Sequence, residues 1–165
     1  MTELPSSGSR FRRRHTKRRT ITTAHQSERT GKYSELAARL ALLANGWTVH
    51  QSETDEVYDI LAADPVSGEY AKIQVKTVRQ RMDRGGDLVI YARKGNGTVY
   101  DRSEADYVVG VWAVEGAVPR VFMTENRLCA EYWASEARAS ERWVELSLAL
   151  DRDVQTEAVA LPSAA

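Results

Sequence analysis

Val57-Tyr58-Asp59-Ile60-Leu61-Ala62, a turn-forming run at Asp64–Gly68, and then Tyr70-Ala71-Lys72-Ile73-Gln74-Val75-Lys76-Thr77 read together as two β-strands joined by a turn. Strand geometry puts Tyr70, Lys72, Gln74 and Lys76 on one face of the second strand and Ala71, Ile73, Val75 and Thr77 on the other. Three polar residues in this hairpin need an explanation. Asp59 sits inside an apolar run, where Asp is a poor strand former and costly to bury alone. Gln74 and Lys76 lie two apart, so their side chains share a face. If the strands pair as a hairpin, Asp59 faces them across the ladder.

Outward from this hairpin the chain alternates helix and strand signals. Upstream, Ser34 is placed to cap a helix running to about Ala44, with Leu36, Leu40 and Leu43 on one face. Asn45-Gly46 stops that helix, and Trp47–His50 reads as a short strand. Downstream, strands are expected at Asp87–Ala92, Tyr107–Val114 and Val118–Met123, the last two joined at Glu115-Gly116. A helix is expected over Glu125–Ala137 with Cys129 buried in it, then a short apolar element at Trp143–Leu148. Trp112, Phe122 and Trp133 are expected in the core, and Gly95-Asn96-Gly97 as a tight turn. The order gives an α/β domain over residues 31–150, a mixed central sheet flanked by helices. Residues 1–30 read as a flexible arm and 151–165 as a tail.

Size and composition narrow the function. The chain of 165 residues, 42% apolar, is long enough for one domain with a real core. No apolar run approaches the roughly 20 residues that span a bilayer, so no membrane association is expected. The basic N-terminal stretch has no apolar segment behind it, so no secretory signal is expected and the cytoplasm is the expected compartment. A single cysteine excludes a disulfide framework, and His15, His25 and His50 lack zinc-ligand spacing. No Walker-type run supports ATP binding. The formal charge is zero but unevenly spread. Residues 1–34 hold nine Lys/Arg against two acids, a net +7, and the remainder holds 14 against 21, a net −7. Seven of the cations, among them Arg12, Arg13, Arg14, Lys17, Arg18 and Arg19, fall within Arg10–Arg19. Such an arm suits a polyanion such as nucleic acid.

The hairpin residues suggest a metal site. A hard divalent cation takes oxygen ligands. The Asp59 carboxylate, the Gln74 amide oxygen and the Val75 carbonyl can supply three, with Lys76 beside them to hold an attacking water or stabilise charge on a phosphate. Glu35, on the preceding helix, can add a carboxylate. Arg79 and Arg81 come soon after Lys76 in the chain and are candidates for phosphate contacts.

These residues, Gly31-Lys32-Tyr33-Ser34-Glu35, Asn45-Gly46-Trp47, Tyr58-Asp59-Ile60 and Ile73-Gln74-Val75-Lys76-Thr77, resemble the PD-(D/E)XK nuclease superfamily. The likeness is to the branch of intron-encoded homing endonucleases, and the pattern is similar also to archaeal Holliday-junction resolvases. It covers roughly residues 31–123. The resemblance implies a restriction-endonuclease-like fold, Mg²⁺- or Mn²⁺-dependent hydrolysis of phosphodiester bonds, and DNA as substrate. It implies that Asp59 is the first acid, Lys76 the lysine and Glu35 the helix glutamate. Tyr58 stands where the name-giving motif has proline, and Gln74 replaces the second acid, as in the homing endonuclease branch. A junction resolvase, or a catalytically inactive nuclease-like protein that binds nucleic acid or plays a structural part, is the alternative. A homodimer or higher homo-oligomer is compatible with each.

Overall fold

The computed structural model describes residues 25–153. The arm residues Arg12, Arg13, Arg14, Lys17, Arg18 and Arg19 therefore lie outside the described residues, as does most of the tail. In chain order the elements are α1 (Gln26–Ala44), β1 (Thr48–His50), β2 (Ile60–Ala63), β3 (Tyr70–Thr77), β4 (Arg79–Arg81), β5 (Asp87–Tyr91), β6 (Tyr107–Trp112), β7 (Arg120–Glu125), β8 (Glu131–Ala134), α2 (Ala139–Arg142) and β9 (Val144–Leu146).

The strands form two sheets. Six make a mixed sheet in the order β1-β2-β3-β6-β7-β9, in which β3 and β6 run parallel and the other neighbours antiparallel. The hairpin forms as its sequence requires, with Ile60 opposite Ile73 and Ala63 opposite Tyr70. Three more strands make a small antiparallel sheet, β4-β5-β8. The expected strand at Asp87–Ala92 belongs to this second sheet.

Strand periodicity assigns each face of the large sheet its own cover. Ile73, Val75, Val109, Val111 and Val121 pack with Ile60 and Ala62 against α1. Val108 and Phe122 point the other way and pack on Leu88 and Ile90 of β5 and Tyr132 and Ala134 of β8. The sheets approach most closely at Gly110, where a Cβ would lie 2.5 Å from Ile90 Cδ1 and 2.9 Å from Val78 Cγ2. So α1 flanks one face, and a second sheet covers the other.

Several expectations are corrected. α1 starts at Gln26, so residues 26–30 are helix rather than arm. Ser34 is a buried mid-helix residue and caps nothing. The buried face of α1 is Ala37, Ala38, Ala41 and Leu42, whereas Leu36, Leu40 and Leu43 are 58%, 54% and 50% exposed. Small side chains let the helix axis sit close to the sheet, which outweighs the burial of three leucines. No α-helix occupies Glu125–Ala137. Leu128 has φ 58, a left-handed conformation that interrupts a helix, and the buried Asn126 amide donates to the carbonyls of Tyr100, Asp101 and Ala105. Beyond Ala130 the burial alternates residue by residue, with Tyr132 and Ala134 buried, and the segment forms β8. Cys129 is accordingly exposed in a loop. Phe122 is fully buried, but Trp112 and Trp133 are only half-buried. Among the described residues no helix is long and apolar enough to cross a membrane.

Candidate active site

The site lies where β2 stops and β3 continues. β2 begins at Ile60, opposite Ile73, and one further step of the antiparallel register puts Asp59 opposite Gln74. The Asp59 N–H still donates to the Ile73 carbonyl at 3.0 Å, but Val57–Asp59 are bends rather than strand. β3 runs on to Thr77. Backbone groups two residues apart point to the same edge, so the Val75 N–H and C=O face the gap where a β2 partner would have been. The Asp59 side chain fills part of that gap. Its Oδ2 accepts the Val75 N–H at 2.7 Å and also the Gln74 Nε2–H.

Gln74 is 6% exposed, on the face that turns towards the small sheet. Its Nε2 is committed to Asp59, while its Oε1 is buried and has no hydrogen-bond partner among the described residues. A buried acceptor left unpaired costs about 1–3 kcal/mol. Burial pushes the Asp59 carboxyl above the ordinary carboxylate value. The Val75 N–H opposes that shift, the negative Glu35 adds to it, and Lys76 and the Gln74 amide oppose it.

Lys76 lies two residues beyond Gln74, on the same face. Its Nζ donates to the Tyr100 hydroxyl at 2.9 Å and lies 5.0 Å from the centre of that ring. Glu35 comes from the α1 side, half-buried and paired with Lys32 at 2.6 Å. α1 is pinned to this end of β3 by a hydrogen bond between Ser34 Oγ and Thr77 Oγ1, 2.8 Å, so the residue after Ser34 stands beside the strand end. Asp59, Gln74 and Val75 meet in direct hydrogen bonds, and the charges of Glu35, from the α1 side, and Lys76, from β3, act on the Asp59 carboxyl. The two β4 arginines fare differently. Arg79 lines, with Lys76, Thr77 and Tyr91, an open concavity of about 460 Å³, and its guanidinium has no hydrogen-bond partner among the described residues. Arg81 is engaged by Asp83 through Nε and Nη2 and by the Tyr91 hydroxyl through Nη1.

The donor set is one carboxylate, one amide oxygen and one backbone carbonyl. Among the described residues no group of three His, Cys, Asp or Glu side chains is placed to hold a metal. The all-oxygen set suits a hard divalent cation, and the unpaired Gln74 Oε1 is the acceptor such an ion would satisfy. Sequence reasoning missed Tyr100, which touches the site from a loop outside any periodic element, and Asn126, which fixes that loop. A lone Tyr three residues past a Gly-Asn-Gly turn gives no pattern to read.

The fold is α/β, with a mixed sheet, one long helix on one face and the polar residues where the sheet opens. Among solved structures the chain is similar to that of a bacterial homing endonuclease, I-Ssp6803I, with a TM-score of 0.55 and 19% sequence identity over 68% of this chain and 80% of that one. That likeness is one of fold. No protein-family model matches the chain, and no curated protein does.

Proposed function

We propose that this protein is a divalent-metal-dependent DNA endonuclease with a PD-(D/E)XK-type site. The observation that carries the reading is the unpaired Oε1 of buried Gln74, beside Asp59 and Lys76 at an open strand edge. The shared fold with a bacterial homing endonuclease supports it. Asp59, Gln74 Oε1 and the Val75 carbonyl would hold Mg²⁺ or Mn²⁺, which when bound supplies a Lewis acid to a phosphodiester oxygen. The Lys76 ammonium stabilises the negative charge that develops on the phosphate. Glu35 orients the attacking water by hydrogen bonding, its own charge balanced by Lys32. Arg79 grips a neighbouring phosphate from the concavity beside Lys76. The arm residues Arg12–Arg19 add affinity through further phosphates. A cytoplasmic enzyme, acting as a monomer or a homo-oligomer, is the setting proposed.

One observation favours a second reading. Among the described residues Asp59 is the one carboxylate hydrogen-bonded to Gln74 and Val75, and those two bonds already hold it. A nuclease-like module that binds nucleic acid without cutting it would need no more. The deciding experiment is plasmid nicking with and without Mg²⁺, on wild type, Asp59→Ala and Lys76→Ala. The expected result is metal-dependent nicking that falls by on the order of 10² or more in each variant. Lys76→Ala nicking as fast as wild type overturns the mechanism. Wild type that binds DNA but never nicks it, in Mg²⁺ or Mn²⁺, establishes the second reading. Four-way junctions cut in preference to linear duplex would mark the enzyme as a resolvase.

A further inference from the structure

Tyr100 is almost fully buried, yet its hydroxyl meets the amine of Lys76, the residue assigned to charge stabilisation. The loop that carries it is unusually well fixed. The Asn126 amide holds the carbonyls of Tyr100, Asp101 and Ala105 together. Asp101 Oδ1 closes the turn through the N–H groups of Ser103 and Glu104. Glu104 accepts both the Asp101 N–H and Lys94, whose Nζ lies 2.7 Å and 2.8 Å from the two carboxylate oxygens and 5.9 Å from the Tyr100 ring centre. The ring is thus set between two ammonium groups, one neutralised by Glu104 and the other, Lys76, held by the hydroxyl.

We propose that Tyr100 is a positioning residue for Lys76, and that loop 100–105 exists in this form to aim the ammonium at the Asp59–Gln74 edge. A lysine has four side-chain torsions and roughly 2 kcal/mol of rotamer entropy to lose when held. A buried hydroxyl at 2.9 Å removes much of that freedom before substrate arrives. The ammonium keeps two N–H donors for a phosphate. This assignment rests on the nuclease reading for its consequence, but not for its geometry.

The test is Tyr100→Phe, which keeps the ring, its packing and its contact with Lys94 and deletes only the hydroxyl. Three quantities are read: the single-turnover rate constant for plasmid nicking in Mg²⁺, the DNA Kd in Ca²⁺, and the rate at which Lys76 is acylated by an amine-reactive reagent, monitored by peptide mass spectrometry with Lys94 as internal reference. The expected result is a rate constant lower by about 10- to 100-fold, the loss typical of one hydrogen bond to a charged group, with DNA Kd unchanged. Lys76 acylation should be several-fold faster in the variant and Lys94 acylation the same. A nicking rate within twofold of wild type overturns the proposal, as does unchanged Lys76 acylation. If wild type nicks no DNA, the nuclease reading fails by itself and the acylation rates alone decide whether Tyr100 holds Lys76.

Discussion

Replacing Gln74 by leucine should separate the cost of this site from its use. In the metal-free protein Gln74→Leu removes a buried acceptor without a partner, a gain of about 1–3 kcal/mol, and the Nε2 donor to Asp59, a loss of similar size. Asp59 keeps the Val75 N–H at 2.7 Å and is only half-buried, so it is not stranded. The two changes roughly cancel, and the metal-free variant should be within about 1 kcal/mol of wild type, or about 4 °C in Tm for a domain of this size. Metal should tell them apart. At Mg²⁺ tenfold above its Kd, wild type gains about 1.4 kcal/mol by mass action. A variant lacking one of three protein ligands, with affinity about tenfold weaker, gains about 0.4 kcal/mol at the same concentration. The wild-type Tm should rise by about 6 °C and that of the variant by about 2 °C. Scanning calorimetry in EDTA and in Mg²⁺ measures both. Equal Mg²⁺-induced rises would remove Gln74 from the ligand set. A metal-free Tm lower by more than about 10 °C would show that Oε1 is not an uncompensated group.

Three further outcomes are expected. Gln74→Glu should bind Mg²⁺ more tightly, because it adds a charge to a hard oxygen set; identical weak binding in wild type, Gln74→Glu and Gln74→Ala by titration calorimetry would contradict this. Asp59 has its folded-state pKa raised, chiefly by burial, so the folded protein binds this proton more tightly than the unfolded chain does. That contribution is fully present below the ordinary carboxylate value and is lost as pH rises through the raised one, so the stability of Asp59→Asn relative to wild type should increase with pH across that window in metal-free urea titrations, and a flat difference would refute the shift. Deleting residues 1–24 should flatten log K for DNA against log salt by about 3 to 4 units if roughly four of the seven cations in Arg10–Arg19 engage phosphates, and an unchanged slope in a Ca²⁺ binding titration would show that the arm does not touch DNA.

The hairpin was legible because its code is local. Alternation over Tyr70–Thr77 and a turn at Asp64–Gly68 suffice to pair the strands and set Asp59 against Gln74, and Asp59, Gln74 and Val75 meet there. α1 was legible as a helix but not in its orientation. A hydrophobic-face argument selects Leu36, Leu40 and Leu43, whereas the packing selects Ala37, Ala38 and Ala41, because the distance to the sheet is set by the partner and not by the helix. The second sheet was not legible at all. Nothing in Asp87–Tyr91 says that it pairs with Arg79–Arg81 and Glu131–Ala134 rather than with the large sheet. Glu131–Ala134 was hidden in a stretch rich in helix formers, and one left-handed residue, Leu128, together with the long-range bonds of Asn126 decides against a helix. Tyr100 escaped for the same reason, since its meaning depends on a contact 24 residues away along the chain.

The amide at position 74 has a physical logic of its own. Position 74 stands directly opposite Asp59, in contact with its carboxylate, and Glu35 already raises the Asp59 pKa from the helix side. A second carboxylate at that spot would put two like charges about 4 Å apart, a repulsion of roughly 4 kcal/mol at an effective dielectric of 20. Without metal, one of them would have to take a proton or the strand end would have to open. The amide turns the same contact into a hydrogen bond, so the Asp59–Gln74–Val75 cluster can be formed before any cation arrives. It does so by leaving Oε1 unpaired, a smaller and neutral cost. A site built this way exchanges charge, and with it metal affinity, for preorganisation. Mg²⁺ bound by Asp59 alone among formal charges would feel the repulsion of a neighbouring ammonium more than it would with two acids, because less negative charge offsets it, so where that ammonium is held matters more. That puts weight on Lys76, the cation tied to a buried hydroxyl on this face, and on the loop that holds it.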